Sequence, residues 1–446
     1  MGDEWVVTDP AAISRYLVDE TAEPVRPAPS EDVVLVKPAS TEEVSGVLRV
    51  ANEYRVPVYP RGGGTGLVGG CVPTMGGIVL SLERMDRMEI DRENLVAVAE
   101  AGVTLGKLIE GAEKAGLFFP AHPGDEGAHV GGLVACNAGG ARAVRTGVMR
   151  NYVRGLEVVL ATGDVLRLGG KLVKDNAGYD LMQLFIGSEG TLGVITKVVL
   201  RLYPRWESTL TLIVPFNSRR EAVRASPAIL QSGVLPLALE YVERDLVELS
   251  ARHLGLSWPC EEGSAYLIVI LSEPTEEALY AECERVAEVC SRAGAMEPLV
   301  AETRREQDEI LKIRSNIYVA LKPDTVDILD VSVPPAAVGD LMDRIDEVAA
   351  RHGIRIPVYG HVGDGNLHPH LVRVEGWGPE DYDRVRWEIY KAAVELGGTI
   401  TGEHGVGAIR KRYLAMRLSP KELEIMRAIK RIFDPNNILN PDKVLP

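Results

Sequence analysis

The sequence of 446 residues lacks several features that mark particular classes of protein. Its five cysteines are scattered without a Cys-x-x-Cys pair, so neither a disulfide framework nor an iron–sulfur cluster is indicated. No apolar run approaches the roughly 18 residues that a membrane-spanning helix needs. The first ten residues are acidic where a signal peptide is basic, and Val6 stands where myristoylation requires Ser or Thr. We therefore expect a cytoplasmic protein with no transmembrane segment.

Blocks of basic residues are missing as well. The chain has 49 Lys and Arg against 64 Asp and Glu, a formal net charge of −15. Such a charge repels nucleic acid and anionic membranes, so we expect no nucleic-acid partner. The apolar content of 46% is that of a globular protein, and the length predicts two or three domains.

Three of the chain's eight histidines cluster in residues 359–370, which read YGHVGDGNLHPH. Asp364-Gly365 is a dipeptide that two-residue type I′ turns favour, because both central positions need positive φ. A hairpin folded about that turn pairs His361 with His368, and cross-strand Cβ atoms lie about 4.5–5.5 Å apart. Two imidazoles at that spacing can bind one divalent metal ion. A pair of surface histidines beside a turn is the alternative.

A glycine-rich loop, GEHGVG, follows the helical pattern of residues 382–396 and supplies Glu403 and His404. Two imidazoles and one carboxylate form a three-ligand site with open positions, as a catalytic metal requires. Glu403 thus joins His361 and His368 as a predicted ligand. His404 is a predicted general base, because imidazole titrates near neutrality. Alternatively, both side chains only hydrogen-bond within the loop.

A further glycine run, RGGGTG at residues 61–66, follows a strand, helix and strand pattern that starts at Val33. Successive glycines let backbone N–H groups surround phosphate oxygens, and Arg61 can reinforce such an anion nest. The run is not a Rossmann fingerprint, because a strand from Gly77 follows it. It is not a P-loop, because Gly-Lys-Ser/Thr is missing. A tight connection without a ligand is the alternative.

Two more glycine-rich blocks lie at residues 129–140 (HVGGLVACNAGG) and 187–193 (GSEGTLG). Three such blocks in one region exceed what turns need, and they suggest a dinucleotide held by several loops. After Pro204 glycine becomes rarer, and predicted strands alternate with charged amphipathic helices. This change places a domain boundary near residue 205.

Taken together, these residues resemble the FAD-dependent D-2-hydroxy-acid dehydrogenases of the vanillyl-alcohol-oxidase superfamily. That group includes D-lactate dehydrogenases, the glycolate oxidase flavoprotein subunit and D-2-hydroxyglutarate dehydrogenase. The likeness covers nearly the whole chain. It rests on PRGGGTGL (60–67), KLVKDNAGYDLMQLFIGSEGTLGVIT (171–196), HVGDGNLHP (361–369), GEHGVG (402–407) and DPNNILNP (434–441).

The resemblance implies an α+β protein with a two-part FAD-binding domain of the vanillyl-alcohol-oxidase type in residues 1–205. An α+β cap domain with an antiparallel sheet would cover residues 206–404 and carry the substrate and metal residues. Residues 405–446 would return to the FAD domain. The FAD is expected to be non-covalent, because covalent members attach it through a His or Cys near the pyrophosphate loop or in the cap. Residues 61–68 contain neither, and Cys71 lies just beyond them.

The resemblance also implies the site residues. Zinc or manganese would be held by His361, His368 and Glu403, and His404 would take the substrate's hydroxyl proton. Arg314 matches the arginine that binds the substrate carboxylate, although a surface arginine on a helix is the alternative. The implied FAD contacts are Arg61, Gly62, Gly63, Gly64, Thr65, Gly66, Leu67, Gly131, Gly132, Asn137, Gly139, Glu189, Gly193 and Ile195.

Two departures from the family pattern bear on the substrate. Relatives that act on hydroxyglutarate carry a lysine where this chain has Ile328, so the cation for a second carboxylate is missing. We therefore expect a small monocarboxylate, D-lactate first. His370 replaces the asparagine of some relatives, and it either hydrogen-bonds a ligand or is itself one.

Several readings of the function stay open at this point. The chain is either a dehydrogenase of this kind or a glycolate oxidase-type flavoprotein subunit of a larger complex. A sugar or sugar-lactone oxidase would lack the paired histidines, and an electron-transfer subunit without chemistry would have lost Glu403 or His404. The electron acceptor is expected to be a quinone, a cytochrome, an electron-transfer flavoprotein or an iron–sulfur subunit. A homodimer and a peripheral membrane location through the acceptor are further expectations.

Overall fold

The computed structural model describes residues 1–206 and 208–446. The strands, numbered in chain order, are β1 (Val6–Val7), β2 (Val33–Val36), β3 (Val58–Arg61), β4 (Gly77–Ser81), β5 (Met88–Asp91), β6 (Val96–Glu100), β7 (Leu117–Phe118), β8 (Val153–Val159), β9 (Val165–Gly169), β10 (Val194–Arg201), β11 (Tyr203–Pro204), β12 (Ser208–Phe216), β13 (Ala238–Glu243), β14 (Ala265–Glu273), β15 (Leu299–Ala301), β16 (Thr325–Ile328), β17 (Val331–Ser332), β18 (Val358–His361) and β19 (Asn366–Val372).

The helices, numbered in the same way, are α1 (Pro10–Ile13), α2 (Thr41–Tyr54), α3 (Leu105–Lys114), α4 (Val130–Cys136), α5 (Ala143–Thr146), α6 (Met182–Phe185), α7 (Arg219–Gln231), α8 (Arg244–Leu254), α9 (Glu276–Arg292), α10 (Arg304–Ser315), α11 (Ile317–Leu321), α12 (Val338–His352), α13 (Pro379–Glu395) and α14 (Pro420–Phe433). None of the helices in the described ranges is both long and apolar enough to cross a bilayer.

Local sequence explains where the long helices begin and end. At the start of α2, Ser40 Oγ accepts the N–H of Glu43, which satisfies a helix donor that has no partner within the helix. Helix α12 buries a stripe of apolar side chains, and it ends at Gly353, whose φ of 63° is left-handed. Caps and periodicity are local properties, so these helices follow from the sequence alone.

The first compact unit comprises residues 1–139, 148–205 and 403–446. It contains a sheet of order β1-β2-β4-β3, in which β2, β4 and β3 run parallel. Helix α2 connects β2 to β3, and the glycine run at residues 62–66 follows β3 directly. A second, antiparallel sheet has the order β5-β6-β10-β8-β9. These two sheets are the two parts expected of the FAD-binding domain.

The second compact unit comprises residues 140–147 and 206–402. Its sheet has the order β15-β12-β14-β13-β18-β19-β16, with β17 beside β19, and its strand pairs are antiparallel. Helices α8 and α10 contribute Leu246 and Ile313 to the same apolar core as Ile268 of β14. This sheet is the antiparallel sheet expected of the cap domain.

The expected domain limits need two corrections. The boundary near residue 205 coincides with the change of unit after Arg205, but Glu403 and His404 belong to the first unit rather than to the cap. Residues 140–147 belong to the second unit, although both flanking stretches belong to the first. Packing decides which unit a segment joins. A segment as short as residues 140–147 does not change the local composition enough to be recognised from the sequence.

Candidate functional site

A cavity in the first unit is walled by the three glycine-rich segments, together with Glu403 and His404. Its wall is therefore formed by the loop after β3, by α4 with its flanking residues, and by the turn before β10. The predicted FAD contacts that line it are Arg61, Gly62, Gly63, Gly64, Thr65, Gly66, Leu67, Gly131, Gly132, Gly139, Glu189, Gly193 and Ile195.

Asn137 is the predicted FAD contact that is not among the lining residues. It ends α4 in the left-handed conformation, with φ of 52°, and its Oδ1 accepts the Arg150 N–H at 2.9 Å. Asn137 thus shapes the turn after α4. Asparagine suits this place because it tolerates positive φ better than most residues do.

Two neighbouring glycines of the cavity wall are needed for different reasons. A Cβ at Gly131 would lie 2.5 Å from the Cβ of Ala101, so packing within the protein requires this glycine. A Cβ at Gly132 would meet no described atom within 4 Å and would project into open space. Gly132 thus leaves room for a ligand to approach the backbone closely.

The Arg61 side chain packs between the glycine run and the N-terminal segment. Its Nη1 donates to the carbonyl oxygen of Val18 at 2.8 Å, and its Nη2 donates to that of Arg15 at 3.2 Å. A Cβ at Gly64, whose φ is 77°, would collide with the guanidinium. Arg61 therefore ties the N-terminal segment to the run, and a direct contact with phosphate stays a prediction.

Glu403 and His404 stand next to each other in the loop after Gly402. His404 Nε2 lies 3.8 Å from Glu403 Oε1, and both side chains are half-buried. A Cβ at Gly139 would come within 2.6 Å of Glu403 Oε2. The Glu403 carboxylate thus lies against Gly139, and a flavin contact at Gly139 stays a prediction.

The histidine hairpin of the second unit differs from the prediction. His361 pairs with Asn366 and Tyr359 pairs with His368, so the turn has four residues and the register differs by two. Asp364 lacks the positive φ that a type I′ turn demands, and its Oδ1 instead accepts the Asn366 N–H at 3.2 Å. A shift of two residues keeps every side chain on its predicted face, so the two imidazoles still meet. Their ring centroids are 5.3 Å apart.

Glu240 lies beside His361 on the neighbouring strand β13. Its Oε1 is 2.7 Å from His361 Nδ1, and its side chain is 1% exposed. Burial by itself would raise the pKa of Glu240, but the charges of Arg314 and His361 outweigh it and lower that pKa. An ionised carboxylate at Nδ1 leaves Nε2 pointing away from Glu240, which is the orientation typical of metal-ligating histidines.

Arg314 is buried rather than on the surface. It lies on α10 with its guanidinium carbon 4.8 Å from the ring centre of Tyr359, and its Nη2 is 2.5 Å from Glu240 Oε2. Its Nε is buried and has no hydrogen-bond partner among the described residues. A buried guanidinium with an unsatisfied N–H suits the binding of a carboxylate.

Asp330 lies near His368, at a longer distance than that between Glu240 and His361. Its Oδ1 is 3.6 Å from His368 Nδ1, and it accepts the side-chain N–H of Asn366 at 2.9 Å. The other oxygen accepts the hydroxyl of Thr401 at 2.7 Å. Both histidines thus have a buried carboxylate near Nδ1.

Ile328 and His370 lie beside the two histidines, His361 and His368, in the same sheet. They are direct partners on β16 and β19, so they share a face of the sheet. His370 Nδ1 lies 3.2 Å from the hydroxyl of Thr325, and the ring centre is 5.1 Å from that of Tyr359. The apolar Ile328 therefore lies next to His370, beyond the other two histidines of the hairpin.

Glu240 and Asp330 were not predicted as site residues from the sequence. The signal for Glu240 is a charged residue inside the strand ALEYVE, whose residues 238–242 are all buried. Asp330 has only its place before the strand VSV as a signal. Their histidine partners are distant in sequence, so only the folded sheet identifies them.

The fold and the cavity are those of a two-domain flavoprotein oxidoreductase. The FAD binding domain family matches residues 33–169, and the family of FAD linked oxidases, C-terminal domain, matches residues 205–444. The chain belongs to the FAD-linked oxidase family. The predicted α+β architecture and the resemblance to FAD-dependent D-2-hydroxy-acid dehydrogenases are confirmed.

Individual relatives agree with that assignment. The chain is 45% identical to a D-lactate dehydrogenase of Archaeoglobus fulgidus, over 96% of this chain and 95% of that protein. It is 38% identical to the glycolate oxidase subunit GlcD of Bacillus subtilis, over 92% and 88%. A solved structure of p-cresol methylhydroxylase superposes with a TM-score of 0.77 at 19% identity, over 100% of this chain and 94% of that one. At that identity, the structural match shows a shared fold.

Proposed function

We propose that this protein oxidises a small D-2-hydroxy acid to the 2-oxo acid, with D-lactate the first substrate and glycolate or D-2-hydroxybutyrate behind it. The observation that carries the proposal is the face of the second unit's sheet, where two buried histidines each have a carboxylate near Nδ1 beside the buried Arg314. The 45% identity to a D-lactate dehydrogenase supports the substrate class. The preference for the D enantiomer rests on the relatives alone.

FAD fits the cavity of the first unit, because Gly132 leaves space that no described atom fills. When bound, it supplies the hydride acceptor that no side chain can provide. We expect it to be non-covalent. Cys71 lines the cavity, but burial raises the pKa of its thiol to about 11, which keeps it protonated and a poor nucleophile. Acid precipitation should leave the flavin in the supernatant, and a yellow pellet would contradict this.

We assign the divalent metal, zinc or manganese, to His361, His368 and Glu403. Two imidazoles with a carboxylate suit either ion. The hydrogen bond between Glu240 and His361 Nδ1 orients that ring in the way metal-ligating histidines are usually oriented. When bound, the ion supplies a Lewis acid that stabilises negative charge on the substrate oxygen.

His404 acts as the general base and accepts the substrate's hydroxyl proton on a ring nitrogen. The Arg314 guanidinium pairs with the substrate carboxylate and orients the molecule. Ile328 limits the substrate to one carboxylate, because burying a second without a cation costs several kcal/mol. These three roles together specify a small hydroxy monocarboxylate.

A glycolate oxidase-type subunit of a multi-subunit complex is the second candidate function. The 38% identity to such a subunit favours it. A quinone, a cytochrome, an electron-transfer flavoprotein and a separate iron–sulfur subunit are the acceptor classes that stay predicted. A cytoplasmic or peripheral membrane location and a homodimer also stay predictions.

The test is anaerobic reduction of the flavin by D-lactate, L-lactate, glycolate and D-2-hydroxyglutarate, each with and without a chelator. We expect D-lactate to bleach the flavin absorbance fastest, and the chelator to stop the bleaching. If hydroxyglutarate matches or exceeds D-lactate, the role given to Ile328 is wrong, and another cation such as Arg373 reaches the second carboxylate. No bleaching by any hydroxy acid would refute the proposal.

A further inference from the structure

Glu189 uses both of its carboxylate oxygens inside the protein. Oε1 accepts the N–H of Val406 at 2.7 Å, and Oε2 accepts the N–H of Gly407 at 2.8 Å. A Cβ at Gly405, whose φ is 87°, would lie 2.9 Å from the same carboxylate. The carboxylate therefore packs directly against the loop that carries Glu403 and His404.

The backbone of Glu189 is fixed as well. Its N–H donates to the carbonyl oxygen of Ala135 at 2.8 Å, and its carbonyl oxygen accepts an N–H of the Asn440 side chain at 2.7 Å. Asn440 also donates to the carbonyl oxygen of Gly70 at 2.8 Å. Glu189 adopts a φ of 52°, which non-glycine residues rarely do. Its position is thus determined by other segments of the first unit, and the loop is attached to it.

We propose that Glu189 is a positioning residue that holds residues 403–407, and with them Glu403 and His404, in the cavity wall. The inference rests on the proposed function, in which Glu403 binds the metal and His404 is the base. It gives Glu189 a role different from the FAD contact that the family resemblance implies.

The chemistry of the contact requires a carboxylate. Two adjacent backbone N–H groups point at one side chain, and only an ionised acid offers an acceptor to each of them without a competing donor. Glutamine would satisfy one N–H and turn its own NH₂ group toward the other. Hydrogen bonds to a charged group are about twice as strong as neutral ones, so the acid binds these two N–H groups more strongly than glutamine would.

The experiment compares Glu189→Gln with Glu157→Gln. Glu157 is a buried carboxylate of the same unit that contacts Thr41 and Arg167 and is not among the cavity-lining residues. Amide hydrogen exchange, the ratio of FAD to protein, Mn²⁺ binding followed by electron paramagnetic resonance, and flavin reduction by D-lactate are measured on each. Glu189→Asp, which retains the charge, is the conservative variant.

In Glu189→Gln we expect exchange at Val406 and Gly407 to accelerate about tenfold or more, the worth of a hydrogen bond to a charged group. FAD content should stay at the wild-type level. Mn²⁺ affinity and the limiting rate of flavin reduction at saturating Mn²⁺ should each fall about tenfold or more, with partial recovery in Glu189→Asp. Glu157→Gln should leave all four measurements near wild type.

Loss of FAD from Glu189→Gln with unchanged exchange at the loop would overturn the proposal and restore the role of FAD contact. The proposal would also be overturned if amide exchange, Mn²⁺ binding and flavin reduction in Glu189→Gln were all at the wild-type level. Faster exchange without a change in Mn²⁺ affinity or reduction would also overturn it, because the loop would then not control the site. If wild-type protein neither binds Mn²⁺ nor is reduced by any hydroxy acid, the proposed function fails, whatever the exchange shows.

Discussion

In the first unit the cavity wall is rich in glycine, whereas in the second unit the candidate site is a sheet face of buried charged and imidazole side chains. A glycine-rich wall is sensitive to added volume, because any Cβ takes space from the ligand. A side-chain site is sensitive to the identity of single atoms, because its hydrogen bonds and ion pairs depend on which nitrogen and oxygen atoms are present. A substitution that adds volume should therefore affect the cavity of the first unit, and one that changes a nitrogen or oxygen atom should affect the site of the second unit.

The largest effect is expected from His368→Ala, which removes a predicted metal ligand without adding volume. Turnover should be abolished and bound metal lost, while FAD stays at one equivalent because its cavity lies in the other unit. Elemental analysis, flavin absorbance and turnover are the measurements. His253→Ala, at an exposed position of α8, is the control and should behave as wild type. Fully active wild-type enzyme with far less than one equivalent of metal would remove the basis of this prediction.

His404→Asn should retain FAD and metal but slow flavin reduction by roughly 10²–10⁴-fold, the usual worth of a positioned base. Stopped-flow reduction by D-lactate measures the chemical step directly. Reduction at nearly the wild-type rate would show that another group, His370 first, takes the proton.

Glu240→Gln tests whether the carboxylate beside His361 directs the ring toward the metal. Metal affinity should fall about 10–100-fold, the usual cost of losing the partner of a ligating histidine. Glu243→Gln is the matched control, since this residue lies on the same strand but pairs with Arg219. Equal metal affinities in the two variants would argue against a role for Glu240.

Gly132→Val adds volume where the first unit has open space. The fold should persist and FAD affinity should drop roughly 10–100-fold, the equivalent of a moderate steric clash. Gly131→Val is the contrast, because its side chain would collide with Ala101 and lower the melting temperature instead. FAD titration and thermal unfolding distinguish the two outcomes. Normal FAD binding by Gly132→Val would place the flavin elsewhere.

The smallest effect is expected from Ile328→Lys, which supplies the cation that hydroxyglutarate-specific relatives carry. The ratio of kcat/KM for D-2-hydroxyglutarate over D-lactate should rise about tenfold, because the second carboxylate gains a partner. Ile328→Met conserves volume and should leave the ratio unchanged. A ratio unaffected by lysine would show that Ile328 does not face the distal end of the substrate.

Much of the first unit's site could be predicted because its signals are local. Residues 62–66 are mostly glycine, because the backbone there must leave space for a ligand or for close packing. Such a run is visible in the sequence itself. The caps of α2 and the apolar stripe of α12 are local in the same sense. The family motifs then connect the separate glycine blocks into one FAD-binding domain.

The second unit's site was predictable only in part. The sequence predicts that the two imidazoles meet, which is confirmed, but it predicts the wrong hairpin register, because the Asp364 side chain accepts the Asn366 N–H in a turn that a dipeptide rule does not anticipate. Glu240 was missed because it is 121 residues from His361 in sequence. The sequence allows Arg314 either a surface or a site position, and its burial on α10 excludes the surface position.

By itself, the sequence determined the architecture, the FAD-binding segments and the residue types available for chemistry, since these follow from backbone conformational limits, periodicity and motifs. Only the tertiary structure decided which carboxylate lies near which histidine, which glycine leaves space for a ligand, and that the Glu189 carboxylate accepts the N–H groups of Val406 and Gly407. Those are pairings between distant segments, and strand register and packing set them. A contact between atoms far apart along the chain has no local signature.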